Sequence, residues 1–244
     1  MRDSRKLRYY TQRNLLGHRN RLFDWFSKLS ITGWLILINI VFFIVAYPLI
    51  LFYENSITYI AIQPINFFDG YYIWTLITSM FMHGGIFHLL INMFVLFSLG
   101  SLCEKIIGRK RYLWFYLISG IVAGLLFVSL AYFFGTSELG TNVFGSPETF
   151  AVGASGAIFA IAGLFMILTP KLRFSIIFLP FFSLPAYVMI PLVLFGTWLV
   201  SISAGWGVGN TAHLGGFLAG VVYGLYLRQK YKRKTKMIEK YFSR

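Results

Sequence analysis

The chain has 244 residues, of which 57% are hydrophobic, 19% aromatic and only 12% charged. A water-soluble domain carries about 25% charged residues, so this composition excludes an ordinary soluble protein and predicts a membrane protein. There is a single cysteine, Cys103, which excludes a disulfide bond within the chain.

Six apolar segments are long enough to cross a bilayer, which takes about 20 residues in a helix. In chain order these predicted spans are 31–52, 83–102, 112–134, 150–169, 186–204 and 208–227. The sequence therefore predicts an all-α membrane protein, with one six-helix bundle over 31–227 between a basic tail at 1–30 and another at 228–244. The connection 170–185 contains three prolines and is predicted to be irregular rather than a seventh span.

All 22 lysines and arginines fall on one side of this predicted topology. They lie in the segments 1–30, 105–111, 171–173 and 228–244. The opposite loops, 53–82 and 135–149, contain none. Because basic loops stay on the cytoplasmic side, both termini are predicted to be cytoplasmic. The formal net charge of +14 is then explained by basic tails that meet anionic lipid headgroups, and no nucleic-acid partner is expected.

Three predicted spans carry a polar side chain about five residues from their outer ends. These residues are His88 in the second span, Ser155 in the fourth and His213 in the sixth. Each would lie about 8 Å below the outer end of its helix, and Asn92 would lie one turn below His88 on the same face. A hydroxyl, a base and hydrogen-bond donors at one depth are the groups that acyl transfer requires. Taken singly, each residue is also explained by helix packing or by interhelical hydrogen bonding.

Glycines at four-residue intervals predict close contact between the fourth and sixth spans. Gly216, Gly220 and Gly224 follow this spacing in the sixth span. Small residues at such intervals let helix axes approach closely, so we expect these glycines to serve packing. The same approach would bring Ser155 within reach of His213.

Three segments resemble the signatures of the rhomboid family of intramembrane serine proteases. They are HGGIFHLLIN (83–92), GASGAIF (153–159) and AHLGGFLAG (212–220), in the family's order and on its expected spans. The resemblance is specific because the three motifs occur together, and it covers roughly 31–227. It implies a six-transmembrane-helix, rhomboid-like bundle.

The resemblance also implies a role for each matching residue. Ser155 would be the nucleophile and His213 the general base, a dyad without an acidic third member. His88 and Asn92 would stabilise the oxyanion, together with the backbone N–H of Ser155. The matching supporting residues are His83, Gly153 and Phe159.

Other matches concern structural support. The resemblance implies that Phe159 packs against the catalytic imidazole and that Glu104 is a structural residue at a helix end. The sequence departs from the family at Trp74, which Thr75 follows where relatives often have arginine. This departure puts the anchoring of the first outer loop in doubt, not the chemistry.

The implied activity is endopeptidase cleavage of other proteins' transmembrane segments near the outer face, with no cofactor or metal. One alternative is a catalytically inactive relative that acts as a membrane chaperone, although such relatives usually lose the serine or the histidine. Another is a small transporter or channel, although no internal repeat or charged relay is visible. The short loops and basic tails suggest a multi-pass protein of a prokaryotic plasma membrane.

Overall fold

A computed structural model describes residues 28–53, 55–176, 179–204 and 209–242. Most of the predicted tail at 1–30 therefore lies outside the described residues. The described helices, in chain order, are α1 (Ile31–Phe52), α2 (Pro64–Phe68), α3 (Thr75–Thr78), α4 (Ile86–Val95), α5 (Ser101–Ile107), α6 (Arg109–Phe134), α7 (Glu138–Phe144), α8 (Ser155–Leu168), α9 (Ala186–Ala204), α10 (Asn210–Lys230) and α11 (Lys232–Phe242). A π-helical turn, Leu96–Gly100, joins α4 to α5, and a 3₁₀ turn, Ser56–Tyr59, follows α1.

Four helices of the described chain are long and apolar enough to cross a membrane. They are Ile31–Phe52, Ile86–Ile107, Arg109–Phe134 and Ala186–Ser203. The prediction of a helical, multi-pass membrane protein is thereby confirmed. The fourth predicted span corresponds to α8, which has only 14 residues, and the sixth corresponds to α10, which is less apolar. The count of six crossings and the cytoplasmic location of both termini stay predictions.

The connection between α8 and α9 is more regular than predicted. It forms an antiparallel hairpin of β1 (Arg173–Ile176) and β2 (Leu179–Pro185), in which Phe174 pairs with Leu184. Phe and Ile favour the extended backbone, and Pro185 ends its strand at a sheet edge, where its missing N–H is tolerated. The prediction of an irregular segment was therefore wrong, whereas the expectation that this connection is not a seventh span agrees with the hairpin.

Helix α8 lies at the centre of the bundle. Ten of its fourteen residues are buried, against only five of twenty-two in α1. Its neighbours are α10, α6 and α9. Small apolar residues let neighbouring helices pack closely around such a helix. Ala157, Ala160 and Ala162 are buried residues of this kind.

The contact between α8 and α10 is backbone against backbone. A Cβ atom at Gly216 would overlap the carbonyl oxygen of Gly156, and one at Gly220 would overlap that of Ala160. Only glycine permits this separation, so the close contact predicted from the glycine spacing is present in the structure.

Helix α1 is attached to α5 through a buried carboxylate. Glu104 accepts hydrogen bonds from the backbone N–H groups of Ile31 and Thr32 and from the Thr32 hydroxyl, each at 2.9 Å. The first N–H groups of a helix have no partner within it, so Glu104 caps α1 from a distant part of the chain. This contact is structural, in keeping with the expectation for Glu104.

Replacement of Gly220 by alanine is expected to force α8 and α10 apart. Overpacking of this kind costs about 1–3 kcal/mol of the free energy of unfolding. The matched control is Gly196→Ala in α9, where an added Cβ meets nothing within 4 Å. The control is expected to unfold like the wild type or to gain stability from alanine's higher helix propensity. Denaturant titration in detergent micelles measures both, and equal effects of the two substitutions would contradict this account of the interface.

Candidate active site

The segment before Ser155 is extended and tied to the first long loop. Ile62 and Ala151 exchange backbone hydrogen bonds of 3.1 and 2.8 Å, and the Gly153 N–H donates to the Ser79 carbonyl at 2.8 Å. Gly153 has φ of +134°, a conformation that side-chain-bearing residues rarely adopt. These contacts hold the chain out of the helical conformation until Ser155.

Ser155 is consequently the first residue of α8 rather than a residue about five positions into a longer span. His88 is the third residue of α4 and His213 the fourth of α10. The predicted depth of five helical residues was wrong for all three, because each helix begins later than hydropathy indicates. Their common location near one end of three helices is nevertheless retained.

Ser155 and His213 are brought into direct contact. His213 Nε2 lies 2.8 Å from Ser155 Oγ, the distance of a hydrogen bond. With the ring proton on Nδ1, Nε2 accepts the hydroxyl proton. His213 is buried, and none of the described residues hydrogen-bonds its Nδ1. The arrangement is therefore a pair, without a carboxylate among the described residues to orient the imidazole.

An aromatic ring fixes the plane of that imidazole. The rings of Phe159 and His213 stack with centroids 4.5 Å apart and an interplanar angle of 27°. Phe159 lies one turn along α8 from Ser155, so the same helix supplies both the hydroxyl and the surface that supports its partner. This is the packing that the family resemblance implies for Phe159.

His88 borders Ser155 across Gly153. A Cβ atom placed on Gly153 would lie 3.1 Å from His88 Nε2 and 3.5 Å from Ser155 Oγ. Because glycine has no Cβ, the side chains of His88 and Ser155 can both border the space beside residue 153. The Gly84 N–H donates to His88 Nδ1 at 3.4 Å, which leaves Nε2 facing the space beside Gly153.

Asn92 lies one turn along α4 from His88. Its Nδ2 donates to the His88 carbonyl at 3.0 Å, and the side chain is buried. An amide nitrogen carries two hydrogens, so a second donor remains beyond this intrahelical bond.

His83 packs against the ring of His88. It is fully buried, and its ring meets that of His88 edge to face, with centroids 5.1 Å apart. The contact positions the His88 ring.

The loop whose anchoring was in doubt is held by other contacts. Trp74 Nε1 donates to the Tyr59 carbonyl at 3.0 Å, and Thr75 is buried with its hydroxyl donating to the Tyr72 carbonyl at 2.7 Å. Thr78 Oγ1 donates to the Ile60 carbonyl at 2.8 Å. Two threonine hydroxyls thus fasten this loop.

Sequence reasoning missed the groups that set the start of α8. These are the backbone of Ile62, Ala151 and Ser79. Backbone pairing leaves no side-chain pattern, so the sequence offered only Gly153 as a signal of an unusual conformation.

Fold and site together define a multi-pass helical membrane protein with a serine–histidine pair near one end of the bundle. Residues 71–230 match the model of the Rhomboid domain. The chain belongs to the rhomboid family.

Several named relatives are similar to this chain. Presenilin-associated rhomboid-like protein A, mitochondrial, of Danio rerio is 29% identical over 168 residues, which are 68% of this chain and 41% of the relative. The human presenilin-associated rhomboid-like protein, mitochondrial, is 31% identical over 62% of this chain and 37% of its own length. Rhomboid-like protease 3 of Toxoplasma gondii is 25% identical over 94% of this chain and 80% of its own. The chain therefore spans about two fifths of the mitochondrial relatives it matches.

Proposed function

We propose that this protein is an intramembrane serine endopeptidase that uses Ser155 and His213 as a catalytic dyad. The observation that carries the proposal is the 2.8 Å separation of His213 Nε2 and Ser155 Oγ. A hydroxyl is a weak nucleophile until a base accepts its proton, and this geometry provides that base. The name of the Toxoplasma relative, a rhomboid-like protease, agrees with the proposal.

The proposed reaction proceeds through an acyl-enzyme. His213 takes the proton of Ser155 as Oγ attacks the scissile carbonyl, and the resulting imidazolium then protonates the leaving amine. His88 Nε2, the free hydrogen of Asn92 Nδ2 and the backbone N–H of Ser155 donate to the oxyanion. The first N–H groups of α8 have no acceptor within the helix, which leaves the Ser155 N–H available. Water, activated by His213, then hydrolyses the ester.

The proposed substrates are transmembrane segments of other membrane proteins, cleaved near the outer face. Ser155 lies at the start of its helix, so the reacting bond belongs near one end of the bundle rather than at its middle. Carbonyl groups within an intact helix are hydrogen-bonded and shielded, so the substrate must unwind locally. Glycine and other residues of low helix propensity in the substrate favour that step.

The two alternatives account for less of the geometry. A chaperone that binds unfolded spans does not require the serine–histidine contact or the His88 ring beside Gly153. A transporter or channel uses polar side chains along a path, whereas here they gather at one end of three helices. Both alternatives are distinguished from the protease by the dependence of activity on Ser155.

Cleavage of a model transmembrane substrate is expected to require the Ser155 hydroxyl. The full chain is reconstituted in liposomes with a tagged single-span protein that has glycines near its outer end. Wild type is expected to release the tagged fragment, and Ser155→Ala to release none. Cleavage by both proteins would identify a contaminating protease, and absence of cleavage by the wild type over a panel of substrates would favour the alternatives.

Asn92 is expected to act in the transition state. Loss of one oxyanion donor costs about 100- to 1,000-fold in kcat, so Asn92→Ala should show this loss with little change in KM. The matched control is Asn39→Ala in α1. Asn39 Nδ2 also donates to the carbonyl four residues earlier, that of Leu35, at 2.7 Å. The control should retain kcat within a few-fold. A folded Asn92→Ala enzyme with wild-type kcat would remove Asn92 from the mechanism.

We also propose a plasma-membrane location with cytoplasmic termini, on the distribution of basic residues. The compared relatives are eukaryotic and two are named mitochondrial, so they lend no support to a prokaryotic plasma membrane and make a mitochondrial membrane the alternative. Fractionation of cells that express the chain with a tag after Arg244 should place it in the plasma membrane, with the tag protected in right-side-out vesicles. Recovery with mitochondria, or digestion of the tag, would overturn this assignment.

A further inference from the structure

A groove opens on the side of the bundle at the end where basic residues are concentrated. It has a volume of about 350 Å³ and lies between the first turns of α6 and the middle of α10. Lys110 and Arg111 lie at its charged end. The remaining lining residues are Trp114, Phe115, Ile118, Ser119, Ala219 and Tyr223.

The walls of this groove suit a hydrocarbon chain. Phe115 and Tyr223 stack with ring centroids 4.9 Å apart, which gives a flat aromatic surface. The Ser119 hydroxyl donates to the Phe115 carbonyl at 2.6 Å and is therefore already hydrogen-bonded. Trp114 and Ile118 are exposed, so the groove faces outward, where lipid surrounds a membrane protein.

The charged end suits a phosphate. Arg111 Nη2 donates to the Tyr231 hydroxyl at 3.2 Å and its guanidinium carbon lies 5.2 Å from the centre of that ring, which orients the group. Arg109, the neighbouring cation, donates to the Leu29 carbonyl and lies 3.7 Å from Glu104. Lys110 and Arg111 are the two adjacent cations that the groove presents.

We propose that this groove binds one anionic phospholipid, with the headgroup phosphate at Lys110 and Arg111 and an acyl chain along Phe115 and Tyr223. Basic pockets between transmembrane helices hold anionic headgroups in this way. The site is distinct from a diffuse attraction of the basic tails to the membrane surface, because it joins two cations to an apolar wall. It does not depend on the proposed protease activity.

Native mass spectrometry of the full chain in mild detergent, titrated with dioleoylphosphatidylglycerol, tests the proposal. One lipid is expected to bind per chain, in preference to dioleoylphosphatidylcholine. Lys110→Gln with Arg111→Gln should weaken this binding about ten- to thirty-fold. The matched control, Lys234→Gln with Lys236→Gln, removes the same charge from exposed positions of α11 and should change binding less than two-fold.

The apolar half of the site is tested by Ala219→Phe, which fills the groove without changing charge. It should weaken phosphatidylglycerol binding at least ten-fold, and sn-glycerol 3-phosphate should not compete with the lipid at millimolar concentration. Equal weakening by the two charge-removing pairs would show a diffuse surface attraction instead. Wild-type affinity in a folded Ala219→Phe chain, or full competition by glycerol phosphate, would also overturn the proposal.

Discussion

The backbone contact between α8 and α10 is the constraint on which the rest of the site depends. Glycine at 216 and 220 lets α10 lie directly against the carbonyl groups of Gly156 and Ala160. Ser155 begins one of these helices and His213 lies in the first turn of the other, so the packing of the two helices brings the two residues together. Functional groups on packed helices are held more accurately than groups on loops, which is what a reaction at a fixed distance requires.

This arrangement places polar groups where an apolar bundle would otherwise exclude them. His213 Nδ1 is buried without a hydrogen-bond partner among the described residues. A buried polar group without a partner costs free energy, so the surrounding structure must hold it in place. Aromatic contacts supply part of the support, since Phe159 stacks on His213 and His88 packs against His83. Elsewhere in the fold, the Glu104 carboxylate stabilises the start of α1.

Side-chain patterns were the part of this structure that the sequence could predict. Glycine spacing indicated the α8–α10 contact, and the motifs around Ser155 and His213 indicated which side chains it would join. The start of α8 could not be predicted, because the pairing of Ile62 with Ala151 is a backbone interaction with no side-chain signature. The β1–β2 hairpin was missed for a related reason: its prolines indicate irregular structure, yet they are tolerated in a sheet with only edge strands.

The central claim is that His213 activates Ser155 through the hydrogen bond between them. Labelling of the purified full chain with a fluorophosphonate, followed by peptide mapping, tests this claim without a substrate. The account predicts one adduct, on Ser155, that is lost or greatly slowed in His213→Ala and retained in Asn39→Ala. An adduct on another residue, or labelling of Ser155 at an unchanged rate in His213→Ala, would contradict it.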